Sequence, residues 1–145
     1  MIELEPAFFD EMVEHGLAAF PNEACGLLAG KEGSPVKFFA MTNLDLSTAS
    51  YRFDPKEQLQ AEYEMEDEGW QTLAIFHTHT HSEAYPSATD QDLAFWPAIG
   101  SEARMAMFPD AYYLIMSLAD RTKPDLRAFR ILEVGRVTED EVAIG

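Results

Sequence analysis

The chain of 145 residues is 47% hydrophobic and 12% aromatic, enough for one globular domain to bury a core without staples. Its net charge of −16 excludes a nucleic-acid binder, because counterion release needs clustered basic side chains that are absent here. A single cysteine excludes an intramolecular disulfide and any multi-cysteine metal site, and no apolar run approaches the roughly 20 residues that span a bilayer. With Glu3 and Glu5 and no basic stretch, the N-terminus does not read as a secretory signal, so a cytoplasmic location is expected. Acidic side chains crowd residues 62–68 and 133–141. The plain reading is a soluble acidic surface, suited to a high-salt cytoplasm, and the sharper one is a docking face for a basic partner.

Residues 6–20 are predicted as an opening helix, with Phe8, Phe9, Met12, Val13, Leu17 and Phe20 at helical spacing and Pro6 in the first turn. His15 lies in this helix and is expected to be a surface or packing residue. Pro21-Asn22 ends the helix, and residues 24–30 read as a small-residue strand buried on both faces. A turn at 31–34 leads to a second strand over 36–41, its hairpin partner. Residues 42–50 are loop-like, and 51–53 are short and extended. Asp54 can cap, and Pro55 can begin, a second helix to about Glu66, with Glu57 at the capping-box position and Leu59, Tyr63 and Met65 as candidates to face inward. Gly69 ends it. Residues 72–76 form the best strand in the chain. A short helix over 91–95, capped by Thr89 or Asp90, is expected next. Residues 97–109 have no clear pattern and could be lid or core. Strands follow over 111–118 and 126–134, a last hairpin passes through Gly135, and the acidic tail 139–145 is expected to fray.

Three of the four histidines, His77, His79 and His81, fall within five residues. His77 and His79 follow an apolar strand at period two, so both side chains point to one face at the strand's end. Two imidazoles and a carboxylate can hold zinc while leaving a fourth position to water, whose pKa then falls to about 7. Asp90 alone would more often be a helix cap. Its place in the same loop, after Pro86 and Ser87, makes it the third ligand. Metal-dependent barrels that begin with His-x-His need roughly 200 residues or more and ligands from later strands, and no histidine follows His81.

His77-x-His79, seven residues, Ser87, two residues and Asp90 match the spacing of the JAMM (MPN+) metalloprotease motif. The stretch 21–30, and the segments Met41-Thr42-Asn43 and Phe53-Asp54-Pro55, also resemble that family. The resemblance implies an α/β domain over 1–145 of the cytidine-deaminase-like MPN fold, a central mixed β-sheet flanked by helices. It implies one Zn2+ on His77, His79 and Asp90, Glu23 as general base and acid, and Ser87 steadying the tetrahedral intermediate. Cys25 is then a buried strand residue and not a nucleophile. Many members carry proline after the second histidine, where Thr80 stands here. That departure, with the run ending Glu83-Ala84-Tyr85-Pro86-Ser87, looks most like the bacterial branch that releases cysteine from the C-terminal Gly-Gly tail of a ubiquitin-like sulfur-carrier protein. Two alternatives stay open: an isopeptidase that deconjugates small ubiquitin-like modifiers from lysine, and a non-catalytic MPN interaction module. His81 is expected to be a solvent-exposed residue or a substrate contact, outside the ligand set, since a third imidazole would close the site to water. Residues 42–53 and 95–109 are candidates for the groove that takes the tail by strand addition.

Overall fold

The computed structural model describes residues 1–96 and 104–145. Its elements are β1 (Ile2–Leu4), α1 (Pro6–Ala19), β2 (Cys25–Lys31), β3 (Ser34–Met41), α2 (Pro55–Glu68), β4 (Gln71–His79), α3 (Ala88–Leu93), β5 (Phe95–Trp96), β6 (Met105–Ala106), β7 (Tyr112–Ser117), β8 (Asp125–Glu133), β9 (Arg136–Asp140) and β10 (Val142–Ile144). Six strands form the main sheet in the order β3-β2-β4-β7-β8-β9. Only β4 and β7 run parallel within it, and the remaining pairs are antiparallel. This is the mixed sheet flanked by helices that the sequence implies.

Alternation along the central strands divides the core in two. Leu28, Ala74, Phe76, Leu114 and Met116 meet the α1 side, where Met12 is buried. Leu27, Ile75, Ile115 and Phe129 meet the α2 side, where Ala61 and Met65 are buried. Gly16 lets α1 lie close over the sheet, because a Cβ there would stand 3.0 Å from Leu118 Cδ1 and 3.1 Å from Thr78 Cγ2. No helix among the described residues is long and apolar enough to cross a membrane.

Several local expectations are corrected. The tail from Glu139 does not fray. It completes β9, and β10 pairs in parallel with β1, Ile2 opposite Val142 and Leu4 opposite Ile144. The N-terminal ammonium lies 2.7 Å from Asp140 Oδ2, which also accepts from the Tyr112 hydroxyl at 2.8 Å. Asp54 does cap α2, accepting from Lys56 N–H at 2.9 Å. Glu57 closes no capping box. Its carboxylate accepts from Thr42 N–H and the Thr42 hydroxyl, clamping α2 to the end of β3. Met65 faces inward as expected, but Leu59 and Tyr63 are exposed, since Ala61 and Met65 occupy the narrow face that α2 turns to the sheet. The third helix starts at Ala88 and is capped by Ser87, while Phe95 belongs to β5. Of the 95–109 stretch, residues 97–103 lie outside the described residues. Phe95 is buried, Ala106 and Phe108 pack on the core, and Trp96, Met105 and Met107 are exposed.

Candidate active site

The functional end of the sheet is the C-terminal edge of its parallel pair, where His77 faces Ile115 and His79 faces Ser117 across the β4–β7 ladder. Crevices outside the carboxyl ends of such strands are where open sheets bind ligands. His77 and His79 project to one face and are 1% and 5% exposed. The parallel pair is held to its end, Leu118 N–H donating to the His79 carbonyl at 2.8 Å, and the Ser117 hydroxyl anchors the loop that follows β4 by donating to the Ser82 carbonyl at 2.6 Å. That loop delivers Asp90 on the first turn of α3.

Ser87 and Asp90 form a reciprocal capping box at the head of α3. Asp90 N–H donates to Ser87 Oγ at 3.0 Å, and Ser87 N–H donates to Asp90 Oδ2 at 2.9 Å. The same Oδ2 lies 3.1 Å from His77 Nε2 and 3.0 Å from His79 Nε2, and the two nitrogens are 3.2 Å apart. His79 Nδ1 is 2.7 Å from the Glu83 carbonyl, which can only accept, so a proton sits on Nδ1, and Nε2 either carries a second proton toward Asp90 or, in the neutral ring, presents a lone pair to a cation. Three electron-rich atoms in one small triangle repel unless a proton or a cation lies among them. A tetrahedral ion with bonds of about 2 Å has ligand edges of roughly 3.3 Å, so the donor set suits a zinc-like ion. Among the described residues, these are the three side chains grouped closely enough to hold a metal.

Electrostatics divide the groups. Burial pushes the Asp90 carboxyl up, but the hydrogen bonds to His77 and His79 outweigh it and hold the group well below the usual carboxylate range. Burial lowers His77 despite its bond to Asp90. In His79 burial also works downward, and the bonds to Asp90 and to the Glu83 carbonyl overcome it and raise the ring.

Glu23 enters from the segment before β2. Its side chain is 4% exposed and its Oε1 has no hydrogen-bond partner. Burial drives its pKa up to about 8, with a smaller lowering by His79 and a smaller raising by Asp90. Its backbone is held on several sides. Glu23 N–H donates to the Ser47 carbonyl at 2.8 Å, and Asn43 Nδ2 donates to the Glu23 carbonyl at 3.0 Å. The next residue, Ala24, donates to the Thr78 hydroxyl at 2.8 Å and accepts from Thr78 N–H at 3.0 Å.

Asn43 has a role that motif spacing does not reveal. It also donates to the Ser50 carbonyl and accepts from Asp45 and Arg52 N–H groups, so one buried amide gathers the 42–53 loop and ties it to Glu23. Tyr51 is the second such residue, its ring stacked on His77 at 4.5 Å and 22°. The one available signal, an asparagine between two extended segments, does not specify such a network.

The remaining candidates sort plainly. Cys25 is buried, and burial pushes its thiol up to about 12, so no thiolate forms near neutral pH. His15 Nε2 lies 2.9 Å from the Cys25 carbonyl and 3.1 Å from the Met41 carbonyl, joining the ends of β2 and β3 from α1. His81 is exposed and outside the donor triangle.

Residues 5–132 match the family model described as prokaryotic homologs of the JAB domain. The chain belongs to the prokaryotic JAB, or JAMM/MPN+, family. It is 41% identical over 135 residues to the CysO-cysteine peptidase of Mycobacterium tuberculosis, covering 92% of this chain and 84% of that protein. Over 78 residues it is 36% identical to a desampylase of Pyrococcus furiosus, a match to 53% of this chain and 56% of that one. Among solved structures, protein DSY2949 from Desulfitobacterium hafniense superposes with a TM-score of 0.80 at 36% identity, covering 100% of this chain and 93% of that one. A JAB1/MPN domain protein from Archaeoglobus fulgidus shares the fold, with a TM-score of 0.58 at 16% identity over 99% of this chain and 98% of that one. The chain is thus a JAMM-type hydrolase on an MPN fold, with peptidases among its named relatives.

Proposed function

We propose that this JAMM protein is a zinc peptidase that hydrolyses the amide bond after the C-terminal Gly-Gly of a ubiquitin-like sulfur-carrier protein and releases cysteine. The observation that carries the chemistry is the His77–His79–Asp90 triangle, 3.0–3.2 Å on its edges, beside a buried Glu23 with an unpartnered oxygen. The likeness to CysO-cysteine peptidase supports the substrate.

His77, His79 and Asp90 would hold the ion. When bound, it supplies Lewis acidity that makes water a nucleophile at neutral pH. Glu23 takes the water's proton as oxygen attacks the carbonyl carbon, and returns it to the amine as the C–N bond breaks. A carboxyl raised by burial is suited to both halves of that transfer. The Ser87 hydroxyl accepts from Asp90 N–H and keeps its own hydrogen to donate to the developing oxyanion. The products are a carrier ending in a Gly-Gly carboxylate and free cysteine.

The likeness to desampylase supports one second reading, an isopeptidase acting on Gly-Gly–lysine conjugates. Incubation with a carrier ending in Gly-Gly-Cys, in parallel with one joined to lysine, separates the two. Cysteine release is the expected result, and release from the lysine conjugate alone overturns the cysteine assignment.

A further inference from the structure

Phe20, His81 and Arg121 come from three separate segments and meet at the end of the sheet that carries His79. Phe20 closes α1 three residues before Glu23, His81 follows β4, and Arg121 follows β7. The Arg121 guanidinium stands 4.5 Å over the Phe20 ring, and the His81 ring is 5.8 Å from the same ring. Thr80 Oγ1 holds His81 Nδ1 at 2.7 Å, which leaves Nε2 without a partner among the described residues.

Among the described residues Arg121 has no carboxylate partner, in a chain where Asp and Glu number 26 and Lys and Arg 10. Arg52, Arg104, Arg127 and Arg136 each have an acidic partner. Arg130 shares the arrangement of Arg121, standing 4.1 Å over the Tyr112 ring, but Tyr112 opens β7 at the end opposite Ser117, which pairs with His79. The adjacent Asp120 is turned away, accepting from Thr122 N–H at 3.0 Å and the Thr122 hydroxyl at 2.6 Å. Stacking on an aromatic ring positions a guanidinium without using its donors, and its fork fits a carboxylate with two hydrogen bonds.

A substrate whose leaving group is a terminal cysteine differs from a lysine-linked one on the carbon next to the scissile nitrogen, which bears the thiol side chain and one charged group. The charged group is a free carboxylate, one Cα away from the scissile nitrogen. We infer that Arg121, steadied by Phe20 and assisted by His81 Nε2, binds the α-carboxylate of the departing C-terminal residue and so makes the enzyme selective for terminal cysteine over lysine conjugates. This rests on the peptidase reading above. Glu23 must reach the leaving nitrogen to protonate it, and Phe20 lies in the same segment as Glu23, which brings the guanidinium to the leaving-group side.

The test measures kcat/KM for a zinc-loaded enzyme on two carriers, one ending in Gly-Gly-Cys with a free acid and one ending in the cysteine amide. The wild type is expected to prefer the acid by on the order of tenfold to a hundredfold, the worth of a charge-assisted pair. Arg121→Gln is expected to bring the acid down to the level of the amide, and Arg121→Lys to restore part of the preference. Equal cleavage of both carriers by the wild type overturns the inference and leaves the peptidase reading standing, as does an acid preference that survives Arg121→Gln. Cleavage of neither carrier overturns both. If Arg121→Gln folds poorly, equal cleavage by the wild type still overturns the inference, and Arg121→Lys supplies the second variant.

Discussion

Asp90 and Glu23 are two carboxyls at the same end of one sheet, and their surroundings drive them in opposite directions. Asp90, at the head of α3, faces two imidazoles and accepts a backbone N–H, and it is held as an anion. Glu23, ahead of β2, has its backbone firmly tied while one carboxyl oxygen is left without a partner, and burial raises it to about 8. Burial pushes both upward, so the difference lies in the partners. One functional group thus has two electrostatic settings, which suit the proposed roles of a fixed ligand in the β4–α3 loop and a movable proton site in the β2 entry segment.

The largest expected effect comes from breaking the first region. His77→Ala should remove stoichiometric zinc, read by elemental analysis, and with it essentially all turnover. A variant that keeps its zinc breaks the ligand assignment. Glu23→Gln should bind zinc normally while kcat falls by about 10²- to 10⁴-fold, the usual worth of a general base. Zinc loss in that variant would merge the two roles. Next comes Asn43→Ala, which unties Glu23 from the 42–53 loop. It should lower kcat by roughly 10- to 100-fold with zinc retained, as outer supports commonly do, and wild-type turnover would show that the loop does not position Glu23.

The smallest effect is in stability, read on zinc-stripped protein. Glu23 is raised above its ordinary 4.5. The folded chain therefore holds a proton that the unfolded chain gives up, and this contribution is fully present below pH 4.5 and lost as pH rises through 8. Asp90 behaves oppositely, stabilising above the ordinary carboxyl range and losing its contribution in acid. Glu23→Gln removes the first dependence. Its unfolding free energy relative to wild type, from denaturant titration, should rise between about pH 5 and pH 9 by on the order of a few kcal/mol. A difference constant across that range would show that Glu23 is not raised in the folded state.

Much of the site was legible because its spacing reports local geometry. Period two puts His77 and His79 on one face, and Ser87 lies three residues before Asp90 because a helix head needs that interval. Glu23 was legible through resemblance alone, since nothing in its own neighbourhood specifies a partner 54 residues away. The main strands and first two helices followed from periodicity and end signals. What escaped depends on tertiary partners. The β1–β10 pair joins opposite ends of the chain, and short strands that pair across such separations leave no local period. Glu57 sits where a capping box would form, but the Thr42 hydroxyl and amide compete for its carboxylate and win. Leu59 and Tyr63 fit a helical stripe, yet the small and flexible Ala61 and Met65 let α2 approach the sheet on another line.

The capping box at α3 links metal capture to local folding. A six-residue helix cannot hold itself together by its own hydrogen bonds, and the residue that helps to start it is also a proposed ligand of the ion. On that proposal ion uptake and ordering of the helix head are one equilibrium, and part of the intrinsic affinity is spent on ordering the turn. Amide exchange across residues 87–93 reports that equilibrium, slowing as the ion is titrated in. A Ser87→Ala variant then loses two things together, a hydroxyl facing the substrate and the brace that presents Asp90. Its kinetics can be read as the first only after its zinc affinity has been measured for the second.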